Sequence, residues 1–150
     1  MNREKSSGID GIDRQLIGML QANARLTFKQ LGQAVHLSST AAAERVRRLE
    51  EAGVIAGYAA QVDPARAGYP ICTFIRLRMS AEKYPRFLAM AEELPEVLEC
   101  HHVTGDDSFL ILAVAGSMEE LEGLIARVSP FGETSTALVL STPLKRDVKV

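Results

Sequence analysis

A chain of 150 residues with 47% hydrophobic and 24% charged side chains is too apolar for a disordered polymer and can hold one domain or two small ones. Its longest apolar run, Phe109 to Ala115, falls far short of the ~20 residues of a membrane-crossing helix; Met1 to Gly8 is polar with no signal-peptide core, so a cytoplasmic protein with no membrane partner is expected. The net charge of −2 conceals a division, since residues 1–60 carry eight Lys/Arg against six Asp/Glu and residues 61–150 carry nine against thirteen, so the total does not exclude nucleic acid.

Asp10 caps a first helix in which Ile12, Leu16, Met19 and Leu20 recur at i, i+4, i+7 and i+8. Asn23-Ala24-Arg25 interrupts that pattern. Thr27 and Gln30 form a capping box for a short second helix with Phe28, Leu31, Ala34 and Val35 on one face. After the tight connection His36-Leu37, Ser38 or Ser39 caps a third helix whose Ala42, Val46 and Leu49 point inward, and Gly53 stops it. Val54 to Val62 alternates loosely around Gly57, as a short hairpin or wing would. Asp63-Pro64 and Gly68-Tyr69-Pro70 then mark a linker, where the charge balance changes sign.

Beyond the linker the order becomes strand, helix, strand, strand, helix, strand. Ile71 to Met79 is the first strand, and Tyr84, Phe87, Leu88 and Ala91 lie on a helix that stops at Leu94-Pro95. Val97 to Thr104 and Phe109 to Ala115 are strands joined by the turn Gly105-Asp106-Asp107-Ser108. A capping box of Ser117 and Glu120 opens a helix carrying Leu121, Leu124, Ile125 and Val128, and Thr134 to Ser141 is the last strand. A βαββαβ order within about 70 residues predicts the ferredoxin-like split βαβ fold. The fold class is thus α+β: a polar tail at 1–8, a winged helix-turn-helix at 9–62, a linker at 63–70, a ferredoxin-like domain at 71–142 and a tail at 143–150. In the third strand Phe109, Ile111 and Ala113 alternate with Leu110, Leu112 and Val114, so both faces are apolar. Two helices cover one face only, and a homodimer that covers the other is the physical expectation, with Phe74, opposite Ile75 and Leu77, as a contact.

A short helix, a tight turn and a helix with an arginine-bearing face describe a helix-turn-helix, whose second helix enters the major groove of double-stranded DNA. Ala41, Arg45 and Arg48 share one stripe of the third helix; Glu44, Arg47 and Glu51 share another. The small residues Ser38, Ser39, Thr40 and Ala41 allow close approach, and their hydroxyls and free N–H groups suit phosphates or base edges. Arginine suits phosphates and guanine alike through its paired donors. The competing explanation is a solvated helix whose arginines pair with Glu44, Glu50 and Glu51; placement behind the tight turn favours DNA.

Leu37 to Tyr58 closely resembles the recognition helix and hairpin of the leucine-responsive regulator/AsnC family, the feast/famine regulators. Asp10-Gly11-Ile12-Asp13, Glu99 to Asp106 and Thr134 to Pro143 resemble three further blocks of that family in matching order. The resemblance implies dimers formed through the ferredoxin-like domain, assembling further into tetramers or octamers, and an amino-acid effector bound near the turn between the second and third strands. Thr104, Gly105, Asp106, Asp107 and Ser108 are then the effector-binding residues. Ser108 stands where the family usually has a second Asp, which removes a negative charge from that site. The family's strand order would also hold Cys72 and Cys100 two strand spacings apart, roughly 10 Å, beyond disulfide reach.

His101 and His102 are adjacent on a strand and point to opposite faces, so they do not share a metal. Asp106-Asp107 is as readily turn chemistry as a pair of catalytic carboxylates. No nucleophile with a base partner, phosphate loop or metal-ligand set is recognisable, so no cofactor, metal or catalytic residue is expected. The alternative function is an amino-acid-binding module or small metabolic enzyme on a ferredoxin-like sheet, without DNA binding.

Overall fold

The computed structural model describes residues 8–150; most of the polar N-terminal segment lies outside the described residues. The chain divides into two compact units. One runs to Ala60 and takes in Leu144–Val150; the other is Gln61–Pro143.

Among the described residues the first unit is built of three helices, α1 (Gly11–Ala22), α2 (Phe28–Ala34) and α3 (Ser39–Glu51). Asp10 caps α1 in a reciprocal box with Asp13, and Thr27 caps α2 in a box with Gln30. Ser38, rather than Ser39, caps α3. Leu16, Leu20, Leu31, Val35, Ala42 and Val46 form the core between them, each large side chain worth about 1.5–3 kcal/mol on burial. At the end of α2, His36 takes the left-handed conformation (φ 58°) and the Leu37 N–H returns to the Gly32 carbonyl at 2.8 Å, which closes the turn before α3. Gly32 lets the turn pass: a Cβ there would stand 2.7 Å from the Leu37 carbonyl oxygen. Gly53 (φ 68°) ends α3, with Val54 N–H bonded to the Leu49 carbonyl at 2.9 Å.

The expected hairpin is corrected here. Val54 to Val62 contains no strand; Ile55 packs on the helical core and the Tyr58 hydroxyl donates to Glu50 Oε1 at 2.7 Å. Two short strands without a further sheet to join are marginal in water. Leu144–Val150, expected as a tail, belongs to this unit, where Gln21 Nε2 donates to the Val148 carbonyl at 2.8 Å.

The second unit opens with turns through Asp63–Tyr69 and then forms β1 (Ile71–Arg78), α4 (Tyr84–Glu92), β2 (Val97–His102), β3 (Phe109–Ala115), α5 (Met118–Val128) and β4 (Glu133–Leu138). The antiparallel sheet has the order β2-β3-β1-β4, as the ferredoxin-like arrangement requires. β2 is two residues shorter than expected and β4 ends at Leu138 instead of Ser141. Ser117 caps α5, but its box is not reciprocal: Glu120 takes the Gly116 N–H instead, at 2.8 Å. Thr73, Ile75 and Leu77 face Ala113, Ile111 and Phe109 in register, and this face is buried under Phe87, Ala91, Leu124 and Val128. The opposite face carries Phe74 (37% exposed), Leu110 and Leu112, none of them under a helix among the described residues. Cys72 and Cys100 are free thiols on strands that β3 separates.

Candidate nucleic-acid interface and ligand groove

The inward stripe of α3 is Ala42, Val46 and Leu49, all buried. What remains outward is Ser39, Thr40, Glu44, Arg47 and Arg48, exposed, with Ala41 half-buried. Ser38 is exposed too, though its hydroxyl already accepts the Ala41 N–H at 3.1 Å. Arg47 lies 3.9 Å from Glu44 and 3.7 Å from Glu51; such exposed pairs are worth about 0–1 kcal/mol, so they hold its guanidinium only loosely. Arg48 is 3.7 Å from Asp13 and its side chain is 63% exposed.

Arg45 departs from expectation. Its guanidinium does not face outward with Arg48 but closes on the start of α1, with Nη1 at 2.6 Å from Asp10 Oδ2 and 2.8 Å from Asp13 Oδ1. Asp13 is buried on the apolar stripe of α1, beside Leu16, Ile17 and Leu20, and a buried carboxylate requires a cation or several donors. The Asp13 backbone N–H, and then the Arg45 guanidinium, hold the Asp10 carboxyl below its ordinary value. Asp10 and then Asp13 in turn hold the proton on Arg45 more firmly. The signal available in the sequence was Asp13 itself, an acid at an inward helical position.

The second unit holds a groove of about 340 Å³ lined by Arg76 and Arg78 of β1, Asp106 and Asp107 of the β2–β3 turn, and Glu133, Thr134 and Ser135 of β4. Arg78 Nε donates to the Asp106 carbonyl at 2.8 Å and its Nη2 lies 3.6 Å from Asp106 Oδ2. Arg76 Nη2 donates to Ser135 Oγ at 3.0 Å. Of the five effector residues expected, Asp106 and Asp107 line this groove, whereas Thr104 and Gly105 are exposed on the turn outside it. Ser108 is corrected: it is buried, its hydroxyl donating to the Met79 carbonyl at 2.9 Å and accepting the Met79 N–H at 3.1 Å. It ties the turn to the end of β1, and no donor is left for a ligand. No local pattern in the sequence singles out Arg76 and Arg78, which share the outward face of β1 with Phe74.

His101 pairs with Glu99 at 2.7 Å on one face, while the His102 ring stacks on Phe109 at 5.0 Å on the other.

Two family profiles match the chain: an AsnC-type helix-turn-helix domain over residues 9–50 and an Lrp/AsnC ligand binding domain over residues 72–148. The chain is 34% identical over 146 residues to the regulatory protein AsnC of Escherichia coli (strain K12), covering 94% of this chain and 96% of that one. It is 31% identical over 133 residues to the HTH-type transcriptional regulator LrpC of Bacillus subtilis, covering 89% and 92%. The solved LrpC structure superposes with a TM-score of 0.88 over 93% of this chain and 100% of that one, at 29% identity. The complex of the transcriptional regulator NMB0573 from Neisseria meningitidis with L-Met superposes with a TM-score of 0.84 at 28% identity, covering 94% and 95%.

Proposed function

The chain belongs to the Lrp/AsnC family of transcription regulators, and from that premise we propose how its own residues do the work. It is a DNA-binding regulator that answers to a small molecule. Ser38, Ser39, Thr40, Ala41, Glu44, Arg47 and Arg48 form the face that meets DNA, Arg47 and Arg48 mainly as phosphate contacts. The observation that carries this is the exposed polar face of α3, standing directly behind the tight turn at His36 and capped by Ser38. The role is regulatory and not enzymatic, as the names of the relatives support, and it is exercised in the cytoplasm.

The effector is an amino acid, bound in the groove of Arg76, Arg78, Asp106 and Asp107. A zwitterion brings a carboxylate that suits a guanidinium fork and an ammonium that suits a carboxylate, and the groove holds both partners. The L-Met complex of NMB0573 supports the choice of ligand class. The outward face of the sheet, with Phe74, Leu110 and Leu112, joins two chains into a dimer, and dimers assemble further. Domain bounds of 9–62 and 71–142 around the linker at 63–70 fit these roles.

Selection of bound sequences from a random DNA pool, with and without each of the twenty amino acids, tests the whole. A roughly palindromic site whose occupancy falls steeply with salt supports DNA reading by a dimer. No enrichment, or binding that survives removal of Arg47 and Arg48 together, refutes it. Calorimetry with Arg76→Ala and Asp106→Ala tests the groove, and amino-acid binding that both variants retain overturns that assignment.

A further inference from the structure

We infer that Arg45 is a positioning residue: it holds the recognition helix against the start of α1 and makes no DNA contact of its own. The inference rests on the reading of α3 as the DNA-facing helix.

One guanidinium nitrogen bridges two carboxylates, 2.6 Å from Asp10 and 2.8 Å from Asp13. Both acids belong to the cap of α1. Asp10 Oδ1 accepts the Asp13 N–H at 2.8 Å and Asp13 Oδ2 accepts the Asp10 N–H at 3.2 Å. The oxygens that remain are the ones turned to Arg45. The cap is therefore a rigid two-toothed receptor, and Arg45 stands near the middle of α3, four residues before Leu49 and one before Val46. Sliding or rotating α3 by a fraction of a turn would pull Arg45 off its seat and strand Asp13, only 2% exposed, without its cation. The bridge thus fixes the rotation of α3 about its own axis more finely than the burial of Ala42, Val46 and Leu49 does, because hydrophobic burial is non-directional. That rotation decides where Arg47 and Arg48 point.

The charge balance reinforces the assignment. Two carboxylates around one guanidinium leave no positive field at Arg45 for DNA to use. Arg48, 3.7 Å from Asp13, has a side chain 63% exposed and, unlike Arg45, is turned to solvent.

The experiment measures affinity of the full chain for its selected site as a function of salt, at a temperature where circular dichroism shows every variant folded. Arg45→Gln, Asp13→Asn, their double variant and Asp10→Asn are compared. The expected result is a loss of about tenfold in each single variant, with an unchanged slope against log salt, and a double variant no worse than the weaker single. The sign for Asp13→Asn is decisive. Removing a negative charge beside a polyanion should tighten binding if charge alone matters, whereas loss of the seat weakens it. Tightened or unchanged binding by Asp13→Asn overturns the proposal, as does a slope reduced by about one in Arg45→Gln, the mark of a phosphate contact. Should Asp13→Asn not fold, Asp10→Asn decides in its place: it removes the other carboxylate that Nη1 bridges, so weakened binding at an unchanged slope supports the proposal and tightened or unchanged binding overturns it. Arg47→Ala with Arg48→Ala is the control for the underlying reading: if that variant binds as wild type, α3 is not the DNA reader at all.

Discussion

Gly32→Ala and Gly18→Ala are the same chemical change in two helices of one unit, and they should have opposite consequences. Gly18 lies on the exposed side of α1 with open space where a Cβ would go. Alanine there gains helix propensity and narrows the unfolded ensemble, a stabilisation of about 0.5–1 kcal/mol. At Gly32 the same gain is available, but the new Cβ would stand 2.7 Å from the Leu37 carbonyl oxygen and 2.9 Å from that of Ser38, where ordinary contact begins at 3.4 Å. Both obstacles are backbone, so the turn itself must move by about 0.7 Å to accommodate the closer one. Overpacking of this kind costs about 1–3 kcal/mol, more than the propensity returns. The two variants should then differ by about 1–3 kcal/mol, with Gly32→Ala the less stable, which is a separation of at least about 4 °C in the melting of a domain this small. Because the Ser38 carbonyl is pushed as well, Gly32→Ala also shifts the cap of α3 and should weaken DNA binding at temperatures where it is folded; Gly18→Ala should not. Thermal unfolding of the full chain, followed by circular dichroism and paired with a binding titration, gives both numbers. A Gly32→Ala protein that melts at or above Gly18→Ala and binds DNA normally would refute the close approach on which the turn is built.

Ser108→Ala removes both hydrogen bonds to the half-buried Met79, a loss of about 1–3 kcal/mol at about 0.5–1.5 per bond; denaturant unfolding with a midpoint within error of wild type would count against the buried role of Ser108. Asp10 has a folded value below its ordinary 3.8, so its contribution to stability is complete above about pH 4 and is lost as pH falls through the lowered value. The melting temperatures of wild type and Asp10→Asn should accordingly differ at neutral pH and converge as pH falls through that lowered value, and a gap that persists in acid contradicts the ion pair with Arg45. Phe74→Arg places a charge on the outward sheet face, opposite Leu112 and Ala137; sedimentation should show a shift to monomer with the fold intact, and an unchanged oligomer would exclude that face as the interface.

Much of this protein is a consequence of short-range pattern. The inward residues Ala42, Val46 and Leu49 of α3, the caps Asp10, Thr27 and Ser38, and the span of β3 from Phe109 to Ala115 follow from periodicity and capping chemistry within a dozen residues. Those preferences are local, so a single sequence carries them, and the βαββαβ order then restricts the sheet to few topologies. Val54 to Val62 alternates loosely yet forms no strand, because alternation only permits a strand and pairing is what makes one. The side chains at both sites depended on contacts that no local pattern encodes. Arg45 meets Asp10 across 35 positions and Arg78 meets Asp106 across 28. As a sequence position Arg45 belongs to the outward stripe with Arg48, and Ser108 belongs to a polar turn. Only the folded chain brings a buried carboxylate within reach of the first and the end of β1 against the second, and an arginine or a hydroxyl goes to the partner whose burial would otherwise leave it unsatisfied.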